Sequence, residues 1–83
     1  MRFKARIEIS LKLGHTDPEG ETTARALREL NYAVRTANIS KVYVLTLEAK
    51  SKSQAKTQVE EMCRRLLANP TKDNYKFEIE EEK

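Results

Sequence analysis

This sequence has very little histidine and cysteine and no tryptophan, and these absences exclude several kinds of metal, disulfide and catalytic site. The 83 residues include one cysteine, Cys63, one histidine, His15, and no tryptophan. A single cysteine excludes an internal disulfide and any multi-cysteine metal site. Cys63 falls on an apolar helical stripe, where it is expected to be a small core residue. His15 falls in a loop, so no paired nucleophile and base is indicated.

Glycine and long apolar runs are also scarce. Two glycines in the whole chain leave no room for a glycine-rich phosphate loop, so we do not expect the chain to bind ATP by itself. No apolar run approaches the roughly 18–20 residues that cross a membrane. Met1–Arg6 alternates charged with apolar side chains and does not resemble a signal peptide. These absences favour a cytoplasmic protein without a membrane partner.

The charge balance is a weak guide to partners. Sixteen basic and 13 acidic residues give a net charge of +3, which by itself suggests nucleic acid only faintly. RNA-recognition domains of similar topology stack bases on aromatic side chains of the central strands. The open face of the first predicted strand carries Arg2, Lys4, Arg6 and Glu8 instead. We therefore expect no nucleic-acid partner.

Two segments predict strands with one buried face. Phe3–Leu13 is apolar at every odd position and polar at every even one, and Tyr75–Ile79 alternates in the same way. The polar face of the first strand is basic, whereas that of the last is acidic. If the two strands pair antiparallel, Lys4 falls opposite Glu80, and opposite charges face each other along the pair.

Two helices are predicted from caps and apolar stripes. Asp17-Pro18 is typical of an N-cap followed by the first helical residue. The helix that follows has an apolar stripe at Ala24, Leu27, Leu30 and then Ala33 or Val34. A second helix opens within Ser51–Ser53 and ends at Asn69-Pro70, because the residue before proline is driven out of the helical conformation. Its apolar face consists of Ala55, Val59, Met62, Cys63, Leu66 and Leu67.

The segment between the helices completes the predicted fold. Val34–Ile39 and Val42–Ala49 are rich in β-branched residues and predict a hairpin turning at Ser40-Lys41. The element order is then that of an α+β, ferredoxin-like β-α-β-β-α-β sandwich, with a four-stranded antiparallel sheet and two helices on one face. We expect one domain over residues 1–83. Val42–Leu47 is apolar on both faces, which suggests that a second copy of the chain covers its other face.

Three stretches resemble the PurS family, the small subunits of phosphoribosylformylglycinamidine synthase. Leu11–Gly14 running into Asp17–Gly20 is similar to the family's strand-to-helix segment. Ala26–Val34 resembles its A-L-x-x-L-x-Y-x-V stretch. Glu61–Pro70, followed by Tyr75, resembles its E-M-C-x-x-L-L-A-N-P ending. The last stretch is the most specific, because helical periodicity does not require that combination of Cys, Asn and Pro.

The resemblance implies a function in purine biosynthesis. Chains of this family work with a glutaminase subunit (PurQ-type) and a synthetase subunit (PurL-type), which convert formylglycinamide ribonucleotide (FGAR) to its amidine (FGAM). Glutamine and ATP are used by those partners, so the resemblance implies no catalytic residue, cofactor or metal on this chain. It implies instead a subunit that bridges the partners, assists ammonia transfer and forms a homodimer or homotetramer.

Five residues are the candidates for partner contact, although the helix-end residues among them also have a local explanation. Asp17 and Pro18 begin the first helix, and Asn69 and Pro70 end the second, so capping and helix termination alone account for both pairs. The five candidates are Asp17, Pro18, Asn69, Pro70 and Tyr75. A different kind of function is a stand-alone ACT-like module that binds a small molecule, which thermal-shift screening with amino acids would detect.

Overall fold

The computed structural model describes all residues, 1–83, and shows an α+β chain. Both helices begin at the caps that the sequence predicted. Asp17 caps the first helix, which starts at Pro18. In the second helix, the Ser51 hydroxyl accepts a hydrogen bond from the Gln54 amide at 3.1 Å. One π-helical turn directly continues the second helix. The elements are β1 (Arg2–Leu11), α1 (Pro18–Glu29), β2 (Lys41–Glu48), α2 (Lys52–Met62), the π-helical turn (Cys63–Leu67) and β3 (Asp73–Glu82).

The three strands form an antiparallel sheet in the order β2-β1-β3. The register between β1 and β3 places Lys4 opposite Glu80 and Arg6 opposite Glu78, which confirms the pairing predicted from charge. On the same face, Lys76 Nζ lies 3.4 Å from Glu8 Oε2. Cross-strand pairs of opposite charge each contribute roughly 0.2–1 kcal/mol. The sequence therefore specifies the register of β1 against β3 through charge as well as through the apolar face.

The core lies between the sheet and α2. The odd-numbered side chains of β1 point towards α2. The largest fully buried side chains are Phe3, Ile7, Val59 and Cys63. Burial, and then the charge of Glu60, raises the pKa of the Cys63 thiol, so Cys63 is the core residue that the sequence predicted. The complete cluster comprises Phe3, Ala5, Ile7, Ile9, Ala49, Ala55, Val59, Cys63, Ala68 and Ile79.

The predicted strand Val34–Ile39 is wrong, and the sheet has three strands rather than four. This segment is irregular because side chains of the α1 region, rather than a neighbouring strand, bind its backbone. Arg28 Nη1 donates to the carbonyls of Val34 and Arg35 at 3.1 and 3.3 Å. The Ile39 amide donates to the Asp17 carboxylate. The predicted hairpin at Ser40-Lys41 is therefore absent as well.

Residues 14–40, which we call the α1 arm, lie outside the core. No arm residue belongs to the buried cluster, so only α2 covers the sheet, and the prediction of two helices on its face is wrong for α1. The apolar stripe of α1 is buried only at Ala24, whereas Leu30 is 65% exposed. β1 also ends earlier than predicted, which leaves Leu13 fully exposed. The arm begins at Gly14, whose φ of +89° favours glycine.

Candidate functional site

Asp17 fastens the two ends of the α1 arm together. Its Oδ1 accepts a hydrogen bond from the Gly20 amide at 2.8 Å, as expected of an N-cap. Its Oδ2 accepts a second bond from the Ile39 amide at 2.7 Å. Because the Ile39 amide, and then the Gly20 amide, stabilise the ionised carboxylate, the pKa of Asp17 lies below its ordinary value of 3.8. The cap thus also holds the chain where it returns to β2, and Pro18 beside it is exposed.

Acidification is expected to loosen the base of the arm. A carboxyl group whose pKa is lowered by folding stabilises the folded state above its unfolded pKa, and this contribution is lost as the pH falls through the folded pKa. For Asp17 the window begins near 3.8 and extends below it. During an acid titration followed by NMR, the Ile39 amide shift should change with a midpoint below 3.8. A midpoint at or above that pH would contradict the bond to Ile39.

The Asn69-Pro70 loop is fixed by hydrogen bonds within itself and to β1. The Asn69 side-chain oxygen accepts from the Thr71 amide at 2.8 Å, and the Asn69 amide donates to Asp73 Oδ2 at 2.9 Å. Lys12 at the end of β1 donates from Nζ to the Pro70 carbonyl at 2.9 Å. The Lys12 amide also donates to the Lys72 carbonyl at 2.7 Å. The loop is therefore rigid, while Asn69 and Pro70 remain exposed.

Tyr75 lies on the helix-covered side of the sheet and fastens α2 to β3. Its hydroxyl donates to Glu60 Oε1 at 2.5 Å, and its ring packs against the core. The bond to Glu60, followed by burial and the charge of Glu60, raises the pKa of Tyr75 above its ordinary value of 10.0. Among the five candidates, Tyr75 therefore has a structural position, away from the exposed loops.

The structure brings the other two candidate pairs to one end of the sheet. Asp17, Lys72 and Asp73 line the same cleft, which has a volume of about 190 Å³. We call this region the loop end: the ends of the strands at Leu11 and Lys41, together with Lys12, Asp17-Pro18 and residues 69–73. Sequence reasoning missed the role of Lys12, although the alternating pattern placed it on the polar face at the end of a strand.

A second cleft lies within the α1 arm. It has a volume of about 420 Å³ and is lined by Arg25, Arg28 and Arg35 together with His15 and Asp17. Three widely spaced arginines give no sequence motif, so only the return of the chain alongside α1 reveals this grouping. No group of three or more His, Cys, Asp or Glu side chains is placed to hold a metal ion. Neither helix is long and apolar enough to span a membrane.

Comparison with known proteins identifies the family. The family model PurS, described as phosphoribosylformylglycinamidine (FGAM) synthase, matches residues 4–81. The chain belongs to the PurS family. Among curated PurS subunits of phosphoribosylformylglycinamidine synthase, the Archaeoglobus fulgidus protein is 43% identical over 72 residues, which are 86% of this chain and 90% of that protein. The match therefore includes the loop end as well as the core.

Solved PurS structures share the shape of the whole chain. Methanocaldococcus jannaschii PurS, one of the subunits of formylglycinamide ribonucleotide amidotransferase, superposes with a TM-score of 0.85 and 35% identity over 98% of this chain and 99% of that one. A chain in the structure of PurLQS from Thermotoga maritima superposes with a TM-score of 0.87 and 32% identity, over 96% of this chain and 99% of that one. The three-stranded sheet with an extended α1 arm is thus a PurS arrangement.

Proposed function

We propose that this chain is the non-catalytic assembly subunit of a cytoplasmic phosphoribosylformylglycinamidine synthase. In this reaction a glutaminase subunit releases ammonia from glutamine, and a synthetase subunit uses ATP and that ammonia to convert FGAR to FGAM. The chain bridges the two and assists ammonia transfer. The observation that carries the proposal is the likeness, across nearly the whole chain, to a chain of the Thermotoga maritima PurLQS structure.

Bridging has a physical reason in the chemistry of ammonia. Ammonia that escapes into neutral water is protonated and loses the lone pair with which it attacks. Holding the source and the consumer of ammonia together raises the effective concentration at the synthetase without any new catalytic group. A small subunit with a rigid docking surface therefore supports glutamine-dependent synthesis, and ammonia supplied in bulk bypasses much of its contribution.

The side chains of this protein fit a supporting role. The Cys63 thiol is fully buried and its pKa is raised, so it is a poor nucleophile. His15 is exposed in the loop before α1 and lines the arginine cleft, with no hydrogen bond from its ring to position it for proton transfer. We therefore assign glutamine and ATP to the two partner subunits, and we assign no cofactor to this chain.

We place the contact with the enzyme subunits at the loop end. The backbone of this region is already held by Asp17, Lys12 and Asn69 through the bonds described above, so little conformational entropy is lost when a partner binds. Asn69, Pro70 and Pro18 are nevertheless exposed. Tyr75 joins β3 to α2 through Glu60, so we assign it a structural role and no contact with a partner.

Two substitutions of Asn69 separate a contact role from a purely structural one. Asn69→Asp keeps the side-chain oxygen that accepts from the Thr71 amide but replaces the amide donor with a negative charge, whereas Asn69→Ala removes both. If the exposed amide contacts a partner, both variants weaken co-elution with the glutaminase and synthetase by about tenfold or more, since an unpaired group is left in the interface.

The matched control is Thr71→Ala, which removes an exposed side chain of the same loop and keeps the backbone bond to Asn69. It should bind as the wild type does. If Asn69→Asp also binds with wild-type affinity and only Asn69→Ala is defective, Asn69 shapes the loop without touching a partner, and the contact must be placed elsewhere.

We also propose that the chain works as a homodimer or homotetramer. Val42 and Val44 project from β2 on the face opposite α2, and Val44 is 61% exposed. Exposed β-branched residues on an edge strand are unfavourable unless another surface covers them. Their exposure supports the expectation, drawn above from the apolar pattern of Val42–Leu47, that a further copy of the chain lies on this face.

A further inference from the structure

We propose that the arginine cleft of the α1 arm binds a small sugar phosphate, whose phosphate group is held by the guanidinium groups of Arg25, Arg28 and Arg35. The cleft is lined by α1 on one side and by residues 35–38 on the other, and residues 14–17 close one end of it. The inference concerns a ligand of the chain itself. It does not depend on the enzymatic reaction, and the purified chain is enough to test it.

The fold of the arm brings the three arginines to one place. Arg25 and Arg28 are three residues apart on α1, so their side chains leave neighbouring positions on the same side of the helix. Arg35 lies on the opposite wall, which Arg28 holds in place: its Nη1 donates to the carbonyls of Val34 and Arg35 at 3.1 and 3.3 Å. These bonds use Nη1 alone, so Nε and Nη2 of Arg28 are left to donate to an anion.

None of the three guanidinium groups has a carboxylate partner within the chain. All four ion pairs of the protein lie elsewhere. Asp17 lines the cleft, but its oxygens already accept from the Gly20 and Ile39 amides. Like charges on neighbouring side chains repel one another, and a bound anion relieves that repulsion. Arginine is also the side chain whose planar fork matches a phosphate group in two parallel hydrogen bonds.

The size and lining of the cleft indicate a ligand larger than a bare phosphate ion. The volume of about 420 Å³ is within the range of pockets that hold small organic molecules. Its apolar lining consists only of Ala24 and Ala37, which leave the space open. Thr16, Thr36 and Asn38 also line it, and their side chains have no hydrogen-bond partner within the chain. Such groups can donate to and accept from the hydroxyl groups of a sugar.

The lining also distinguishes among phosphate-bearing ligands. No aromatic side chain borders the cleft, so a nucleobase would find no ring on which to stack. Two alanines offer little surface to an acyl chain. A glycine-rich loop is not needed, because guanidinium groups supply the donors that backbone amides supply in such loops. A sugar phosphate without a base is therefore the class of ligand that the cleft fits.

A ligand held by both walls is expected to stabilise the arm. Arg25 lies on one wall and Arg35 on the other, so a shared phosphate group adds a second connection beside the hydrogen bond from the Ile39 amide to Asp17. Opening of the arm then requires release of the ligand. Hydrogen exchange at the Ile39 amide should slow by about tenfold when the ligand is present at ten times its Kd.

Titration of the isotopically labelled chain with ribose 5-phosphate, followed by NMR, tests the proposal. The amide shifts of residues 35–38 should change with a Kd below about 1 mM, while the amides of β1 should not change. Ribose and inorganic phosphate each lack the contacts made by the other half of the ligand, so each should bind at least about tenfold more weakly. Equal binding of inorganic phosphate would overturn the assignment of a sugar, and no shift with ribose 5-phosphate would overturn the site.

Substitutions of arginine by glutamine locate the ligand. Arg25→Gln and Arg35→Gln remove exposed side chains that make no hydrogen bond, so the fold should be kept and binding of ribose 5-phosphate should weaken at least about tenfold. Arg25→Lys keeps the charge but loses the planar fork, and it should also weaken binding. The matched control is Arg65→Gln, which removes the same charge from the exposed π-helical turn and should bind as the wild type does.

Two results with these variants would contradict the proposal. If Arg65→Gln weakens binding as much as Arg25→Gln does, the ligand responds to net charge and not to the cleft. If Arg25→Gln and Arg35→Gln both bind ribose 5-phosphate with wild-type affinity, the arginines do not hold the phosphate group.

Discussion

Replacing Phe3 with alanine is expected to lower the free energy of unfolding by about 3–5 kcal/mol. Phe3 is fully buried on the central strand of the sheet, where it lies between β2 and β3 and belongs to the same core cluster as residues of α2. Truncating a buried phenylalanine to alanine costs about 3–5 kcal/mol, because apolar contacts are lost and a cavity remains. A chain of this length is stabilised by roughly 4–12 kcal/mol in total. One side chain thus accounts for a large share of the free energy of unfolding.

Urea denaturation followed by circular dichroism measures this effect. Lys4→Ala is the matched control, because Lys4 neighbours Phe3 in the same strand but points to the open face. Its effect should stay within about 1 kcal/mol, the upper range for a cross-strand charge pair. If Phe3→Ala and Lys4→Ala have the same midpoint in urea, the core does not lie on the odd-numbered face of β1, and the account of the fold fails.

Gly20→Ala is expected to detach the two sides of the α1 arm from each other. A methyl group at Gly20 would collide with the Ala37 carbonyl oxygen and lie 2.9 Å from Asp17 Oδ2. The first of these atoms is backbone and cannot rotate away. Overpacking of this kind costs about 1–3 kcal/mol. The strain falls on the hydrogen bond between Asp17 and Ile39, so residues 37–39 separate from α1.

Hydrogen exchange gives a local measurement of this separation. The Ile39 amide should exchange roughly 5- to 150-fold faster in Gly20→Ala, while amides of β1 keep their wild-type rates, because the arm lies outside the core. Thr22→Ala is the control, since Thr22 is exposed on the same helix. Unchanged exchange at Ile39 would mean that Ala37 does not pack against Gly20. Faster exchange throughout β1 would mean that the arm and the core unfold as one unit.

The elements predicted correctly are those with a regular sequence signal, either apolar alternation along a strand or recognisable residues at a helix end. β1 and β3 followed from apolar alternation, and their register followed from the opposite charges of Lys4 and Glu80. α2 followed from its apolar stripe and from Asn69-Pro70. In each case the signal is local or concerns two strands that pair directly. β1 and β3 form the sheet together with β2, which was also predicted as a strand.

The errors arose where distant groups satisfy the backbone. Val34 and Ile39 suggested a strand, but the bonds from Arg28 and to Asp17 replace a strand ladder. Asp17 was predicted to cap α1 and to be a candidate for partner contact, but nothing in the sequence shows that the Ile39 amide returns to it. The stripe at Leu27 and Leu30 predicted an apolar helix face correctly. Such a stripe does not specify which surface covers it, so the position of α1 away from the sheet could not be inferred.

Some residues of the candidate site were noticed in the sequence, whereas the residue whose contact joins distant positions was not. Asp17 and Asn69 were noticed because helix ends use recognisable residues, and the structure brings their loops to one end of the sheet. Lys12 was missed because its bond to the Pro70 carbonyl joins residues 58 positions apart. Tyr75 was noticed through the apolar alternation of the last strand as well as through family resemblance, and its hydrogen bond to Glu60 joins β3 to α2.

Reconstitution of the enzyme tests the central claim most directly. The glutaminase and synthetase subunits from the same organism are mixed with and without this chain, and FGAM formation is measured with glutamine or with ammonia as the nitrogen source. The account predicts that glutamine-dependent synthesis requires this chain, whereas ammonia-dependent synthesis requires it much less. Equal glutamine-dependent rates with and without the chain, together with no co-elution, would contradict its role as the assembly subunit.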